Sequence, residues 1–271
     1  MGINSGPQVK GNRRRWRKIL RAVFNYDPSF CDMREDPPSK EAAEEYLRHI
    51  RPALREQCGP GPLTILDAGC QAGRLLIPLA QDGHRLTGID ASAFALRRAR
   101  RHAQVAALAV QWHRGDLASL RKWIAPASLD AVVCTEVLYL CKDYRRILGL
   151  LIDSVKPGGL ICVSHRAAVY YVALTFRHGR PEQAGEFLRR SEGPSTDGDY
   201  HNWHTPEQLS RLYRDYGLQL LKAHPICGQP TQISLTHDVE DAVRQLLAGV
   251  HTHHSTFSIP TYYLAIAAQS T

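Results

Sequence analysis

The chain lacks the features that mark a membrane-embedded or exported protein. No apolar run approaches the ~20 residues that a bilayer-spanning helix needs, and no apolar region follows the basic amino terminus as in a secretion signal. The seven cysteines form no Cys-x-x-Cys pair. Their odd number, with Cys70, Cys134 and Cys162 in predicted strands or the turn between them, fits reduced thiols in a cytoplasm. His251, His253 and His254 have no Cys or acid at ligand spacing, and neighbouring positions rarely converge on one ion, so no metal site is expected. Internal repeats and long low-complexity tracts are also missing, and 271 residues accommodate one large α/β core.

The net charge of +8 is concentrated in one place. Residues 10–21 carry seven basic side chains and no acid, which leaves +1 for the rest of the chain. Within residues 10–24, Trp16, Ile19, Leu20, Val23 and Phe24 recur at helical spacing, the stripe of an amphipathic helix. Such a helix would dock on the fold or cap a site with its charges solvated; an anionic membrane surface or nucleic acid is the alternative contact. Arg97, Arg98, Arg100 and Arg101 cover more than one helix face and read as a solvated surface.

The richest stretch is Ile65-Leu66-Asp67-Ala68-Gly69-Cys70-Gln71-Ala72-Gly73-Arg74, an apolar strand that ends in an acid and enters a Gly-spaced turn. A turn this tight needs residues without Cβ where the backbone nears a ligand or takes positive φ. A second strand, residues 85–90, ends in Asp90, 23 residues after Asp67, where a doubly wound fold places a carboxylate for ribose hydroxyls. A third, residues 109–113, leads to Gly115-Asp116-Leu117, and a fourth, residues 129–134, to Thr135-Glu136-Val137-Leu138-Tyr139. The run 155–163 reads as a helix end, a Pro-Gly-Gly turn and a fifth strand.

Taken in order, these segments resemble the class I S-adenosylmethionine (SAM) dependent methyltransferases of small-molecule type. Gln71 replaces the central Gly of that family's first motif. Glycines four apart differ from the Gly-x-Gly-x-x-Gly of a pyrophosphate-binding turn. The resemblance implies SAM as cofactor, with Asp67, Gly69, Cys70, Gln71 and Gly73 around the methionine end. Asp90 and Ala91 then take the ribose, Asp116 and Leu117 the adenine, and Cys134 and Thr135 border the sulfonium. It also implies in-line methyl transfer in which the protein chiefly positions the acceptor and removes a proton. The expected acceptor is a small organic molecule with oxygen as the expected methylated atom, and nitrogen and carbon are left open. The alternative is an RNA or protein methyltransferase that docks substrate on the basic amino-terminal helix. Residues 134–137 lack the Asn/Asp-Pro-Pro-aromatic motif of nucleic-acid amino-methyltransferases, which disfavours a nucleic-acid partner.

The fold expected is a Rossmann-like, doubly wound, seven-stranded and mostly parallel sheet whose last strand, residues 262–268, is antiparallel. Residues 1–60 form an amino-terminal helical extension or cap that includes a helix near 41–57, and residues 61–271 the SAM-binding domain. Residues 166–203 interrupt the alternation with two helical stretches, near 167–178 and 181–190, and read as a lid after strand five. Thr205-Pro206-Glu207-Gln208-Leu209 restarts the core, and residues 227–260 form a second insertion. His165, at the end of strand five, is the first candidate base because imidazole titrates near neutral pH; His201 and His204 follow. Glu136, Tyr139, Tyr170, Tyr171, Tyr200 and Trp203 are the candidate acceptor pocket. The oligomeric state is left open.

Overall fold

The computed structural model describes residues 32–226 and 259–269. The basic stripe at 10–24, most of the second insertion and its three histidines lie outside these residues. The parallel strands β1 (Thr64–Ala68), β2 (Arg85–Asp90), β3 (Val110–Arg114), β4 (Leu129–Cys134) and β5 (Val155–Arg166) are joined by β8 (Leu218–Ile226) and β9 (Tyr262–Gln269). Their order is β3-β2-β1-β4-β5-β9-β8, with β9 antiparallel to both neighbours. This is the expected mostly parallel sheet with its late antiparallel strand. Strand order reverses between β1 and β4, so the loops that leave those two strands diverge and open a crevice at their carboxyl ends.

Period-two alternation builds the core on both faces. Leu66, Val132, Ile161, Val163 and Ala265 pack in one cluster, while Ile65, Val133, Leu160, Cys162 and Ile266 pack in the other. The first is covered by α4 (Tyr144–Ile152) and α7 (Pro206–Asp215), the second by α1 (Pro37–Cys58), α2 (Leu76–Gln81) and α3 (Ala93–Val105). Helix α1 begins earlier than its prolines suggested. Pro37 and Pro38 occupy the first helical positions, where a missing N–H costs nothing, and Asp36 caps the helix by accepting from Ser39 N. Its buried stripe, Ala43, Tyr46, Leu47, Ile50 and Leu54, belongs to the same core as the sheet.

The Pro-Gly-Gly segment is an irregularity within a continuous twelve-residue β5 rather than a turn before it. The register against β4 shifts between Leu129 and Ala131, and Gly158 takes φ 75°, which only glycine adopts without strain.

After β5 the chain forms α5 (Ala168–Arg177), α6 (Ala184–Arg189) and a hairpin of β6 (Glu192–Pro194) and β7 (Tyr200–Asn202). Its own core joins Tyr171, Val172, Ala184, Phe187 and Trp203. The segment leaves and returns at one point: Ala168 N donates to His204 O at 2.9 Å and His204 N to Arg166 O at 2.9 Å. Thr205 then starts α7 with a reciprocal cap, Gln208 N donating to Thr205 Oγ1 and Thr205 N to Gln208 Oε1. Replacing Thr205 with Ala is expected to lower stability by about 1 kcal/mol, read as a lower denaturant midpoint at unchanged slope.

Candidate functional site

The crevice at the reversal point holds a cavity of about 260 Å³ lined by the turn after β1, the end of β2 and the turn after β4. Asp67, Gly69, Cys70, Gln71, Arg74, Asp90, Thr135, Glu136 and Tyr139 all face it. Gly69 takes φ 80°, and a Cβ there would lie 2.3 Å from Val137 Cγ2, so the two turns cross in contact only because this residue has no side chain. Gln71 also lies in the left-handed region, at φ 45°, where glycine would be unstrained. Its side chain folds over the turn: Oε1 accepts from Ala72 N at 2.6 Å and from Met33 N at 3.4 Å.

The cavity collects buried charge. Asp67 is 3% exposed, and its carboxyl is raised from 3.8 to about 7 by burial, an effect opposed by Arg74 and reinforced by Asp90. Asp90 is raised by burial as well, countered by backbone N–H donors from Ser92 at 2.7 Å and Gln71 at 2.9 Å. Each of its oxygens keeps acceptor capacity beyond these bonds. Arg74 donates to Glu136 Oε1 at 2.8 Å and lies over the Tyr46 ring, 5.6 Å from its centroid. Glu136 sits at φ 60°, and its backbone N donates to Ser164 Oγ at 2.6 Å.

The other residues expected around the cofactor are placed less centrally. Asp116 is exposed and caps the short helix Leu117–Lys122 through Ala118 N, and Leu117 is buried beneath it. Ala91 is exposed beyond Asp90, Gly73 packs at the start of α2 beside Ile77, and Cys134 is buried in the sheet.

The histidines need correction. His165 is fully buried on the face that α7 covers, its Nε2 paired with Tyr213 Oη at 3.0 Å, and burial pushes its imidazole down to about 3. His204 is buried against it, ring centroids 5.1 Å apart, and held well below the usual range by burial and by its neighbour. Neither lines the cavity. His201 is half-buried, its Nδ1 on Tyr171 Oη and its ring set edgewise to Tyr139, which lines the cavity, with centroids 5.2 Å apart.

The pocket aromatics divide too. Trp203 donates its indole N–H to Phe187 O at 2.8 Å inside the insertion's core, where Tyr171 stacks on Phe187. Tyr200 bonds Glu192 and Lys142 at the hairpin. Neither Trp203 nor Tyr200 is at the cavity, whereas Tyr139 faces it and Tyr170 stands beside Arg166. Sequence reasoning missed Tyr46, Arg74, Arg166 and Tyr262. A lone charge at the end of the apolar strand β5 was the available signal for Arg166.

The raised Asp67 carboxyl has a stability consequence. A folded pKa above the unfolded one favours the fold below about pH 4 and loses that advantage as pH rises to about 7. Asp67→Asn is therefore expected to match the parent near pH 4 and to melt at higher temperature above pH 7, measured by thermal denaturation across pH.

Residues 65–159 match the methyltransferase domain family. A ubiquinone biosynthesis O-methyltransferase of Ralstonia nicotianae is 30% identical over 193 residues, covering 68% of this chain and 74% of the relative. One of a Methylobacterium species is 29% identical over 196 residues, covering 68% and 76%. Among solved structures, a magnesium protoporphyrin IX methyltransferase of Synechocystis with bound SAH shares the fold at TM-score 0.56 and 17% identity, covering 96% of this chain and 94% of the other. A structure described as a SAM-dependent methyltransferase, from Listeria monocytogenes, aligns at TM-score 0.59 and 16% identity, covering 87% and 100%. With the crevice, its acids and the sheet order, these likenesses make the chain a member of the class I SAM-dependent methyltransferases.

Proposed function

We propose that this methyltransferase transfers the methyl group of SAM to an oxygen of a small organic acceptor. The observation that carries this reading is the contact between the acid-lined crevice and the aromatic side chains of the insertion. Tyr139 lines the acid-rich crevice and also packs on His201 and on Arg166, which Tyr170 of the insertion covers from another side. The naming of the Ralstonia and Methylobacterium relatives as O-methyltransferases supports oxygen as the target.

The donor set fits the cofactor. SAM carries a sulfonium and an ammonium, and Asp67, Asp90 and Glu136 outnumber Arg74 in the cavity wall. Asp90 would accept from the ribose hydroxyls, Gly69 to Gly73 would border the methionine portion, and Asp116 with Leu117 would hold the adenine. The cofactor, when bound, supplies a methyl group already activated as a leaving sulfonium substituent. The protein's tasks are orientation, exclusion of water and removal of the acceptor proton.

For that proton we assign His201. Burial and the nearby Arg166 charge lower its pKa, which keeps the imidazole neutral at working pH. Tyr171 holds Nδ1 and leaves Nε2 to receive the proton. Residues 166–203 serve as the lid that brings His201 to the acceptor, within a catalytic domain spanning 61–271. Tyr46, ahead of that boundary, completes the wall behind Arg74. The five described cysteines are all free thiols, which supports a cytoplasmic setting. No helix among the described residues is long and apolar enough to cross a membrane.

Asp90→Ala is expected to weaken SAM binding by roughly 10- to 100-fold, the worth of a charge-assisted hydrogen bond. Calorimetry that finds unchanged affinity would remove the ribose assignment. His201→Gln is expected to lower turnover about 100-fold or more at unchanged SAM affinity. Labelled-methyl transfer to a panel of phenols measures this, and equal rates would exclude His201 as the base.

A further inference from the structure

Two arginines are buried among the described residues, and they differ in one respect. Arg74 has Glu136 at 2.8 Å; Arg166, 8% exposed at the end of β5, has no carboxylate within ion-pair distance among the described residues. Its surroundings are aromatic. Cζ lies 4.3 Å from the ring centroid of Tyr139, 4.6 Å from that of Tyr170 and 4.2 Å from that of Tyr262. Rings stacked on a guanidinium stabilise its charge through their faces, but they leave the in-plane N–H donors without oxygens. Nε is buried with no hydrogen-bond partner. A buried cation with open donors is costly unless an anion completes it.

The position of these unpaired donors bears on the acceptor. Tyr139 belongs at once to the Arg166 box and to the cavity wall beside Asp67 and Glu136. Tyr170 comes from the insertion and Tyr262 from β9, the partner of Arg166 in the strand register. Glu136, an acid of the wall, is already paired with Arg74. We propose that Arg166 is a specificity residue that binds a carboxylate on the acceptor through its in-plane N–H fork, so that the natural acceptor is a planar aromatic acid. This rests on the reading that a small acceptor binds at the Tyr139 edge of the crevice. A carboxylate matches the two-donor edge of a guanidinium, and tyrosine faces suit the ring that carries it. The carboxylate is the handle, and the methylated oxygen lies elsewhere on the ring.

The test compares two probes of nearly the same shape, 3,4-dihydroxybenzoate, with an anionic two-acceptor group, and 3,4-dihydroxybenzamide, with a neutral amide in its place, titrated into the full-length protein loaded with SAH. The acid is expected to bind roughly 10- to 100-fold more tightly than the amide. Arg166→Met should abolish the preference, and Arg166→Lys, which keeps the charge but loses the fork, should retain only part of it. Unchanged SAH affinity in both variants shows that the cofactor site is intact, and Arg166→Lys alone carries the comparison if the methionine variant does not fold. Equal binding of acid and amide, failure of the acid to bind at millimolar concentration, or a preference that survives both substitutions would overturn the proposal. Failure of the methyltransferase reading is separate, because it appears as absent SAM binding in the unaltered protein.

Discussion

The ion pair between Arg74 and Glu136 ties together the parts on which the site depends. Arg74 follows the turn after β1, Glu136 follows β4, and Tyr46 of α1 lies beneath the guanidinium. The sheet order drives these two turns apart, and the pair bridges them across the crevice. Arg74 is 7% exposed, so its charge must be met inside the protein, and Asp67 and Glu136 meet it. Gly69 gives the same junction its steric half, since any larger residue would strike Val137.

The parts of this arrangement that were legible in the sequence are those fixed by backbone geometry. Asp67 and Asp90 end parallel strands, and their turns carry residue types that few other conformations need, so local sequence announces them. Gln71 is the instructive departure. The turn still takes positive φ there, and the amide side chain compensates by accepting from Ala72 N and Met33 N. A motif can thus lose a glycine and keep its shape when the replacement supplies a bond of its own.

The proposed base was less legible, for a reason that period-two alternation explains. His165 shares a face of β5 with Ile161 and Val163, which pack in the core under α7, and its neighbour Arg166 points the other way. Applied to the strand end, that alternation would have moved attention from imidazole to guanidinium. His201 and Trp203 show the remaining difficulty, because they lie close together on an insertion whose packing no local pattern specifies. One reaches the cavity wall and the other builds the insertion's own core.

The root of that insertion has a further meaning. Because Ala168 and His204 are bonded to each other across its base, the segment between them starts and finishes at the same spot on the sheet. The strands therefore carry no record of how long it is or what it contains. Any stretch of chain whose ends meet at that spot could replace it, leaving Asp67, Asp90 and the β1 turn untouched. Tyr170, Tyr171 and His201 would leave with such an exchange, while Arg166, Tyr139 and Tyr262 would stay with the sheet.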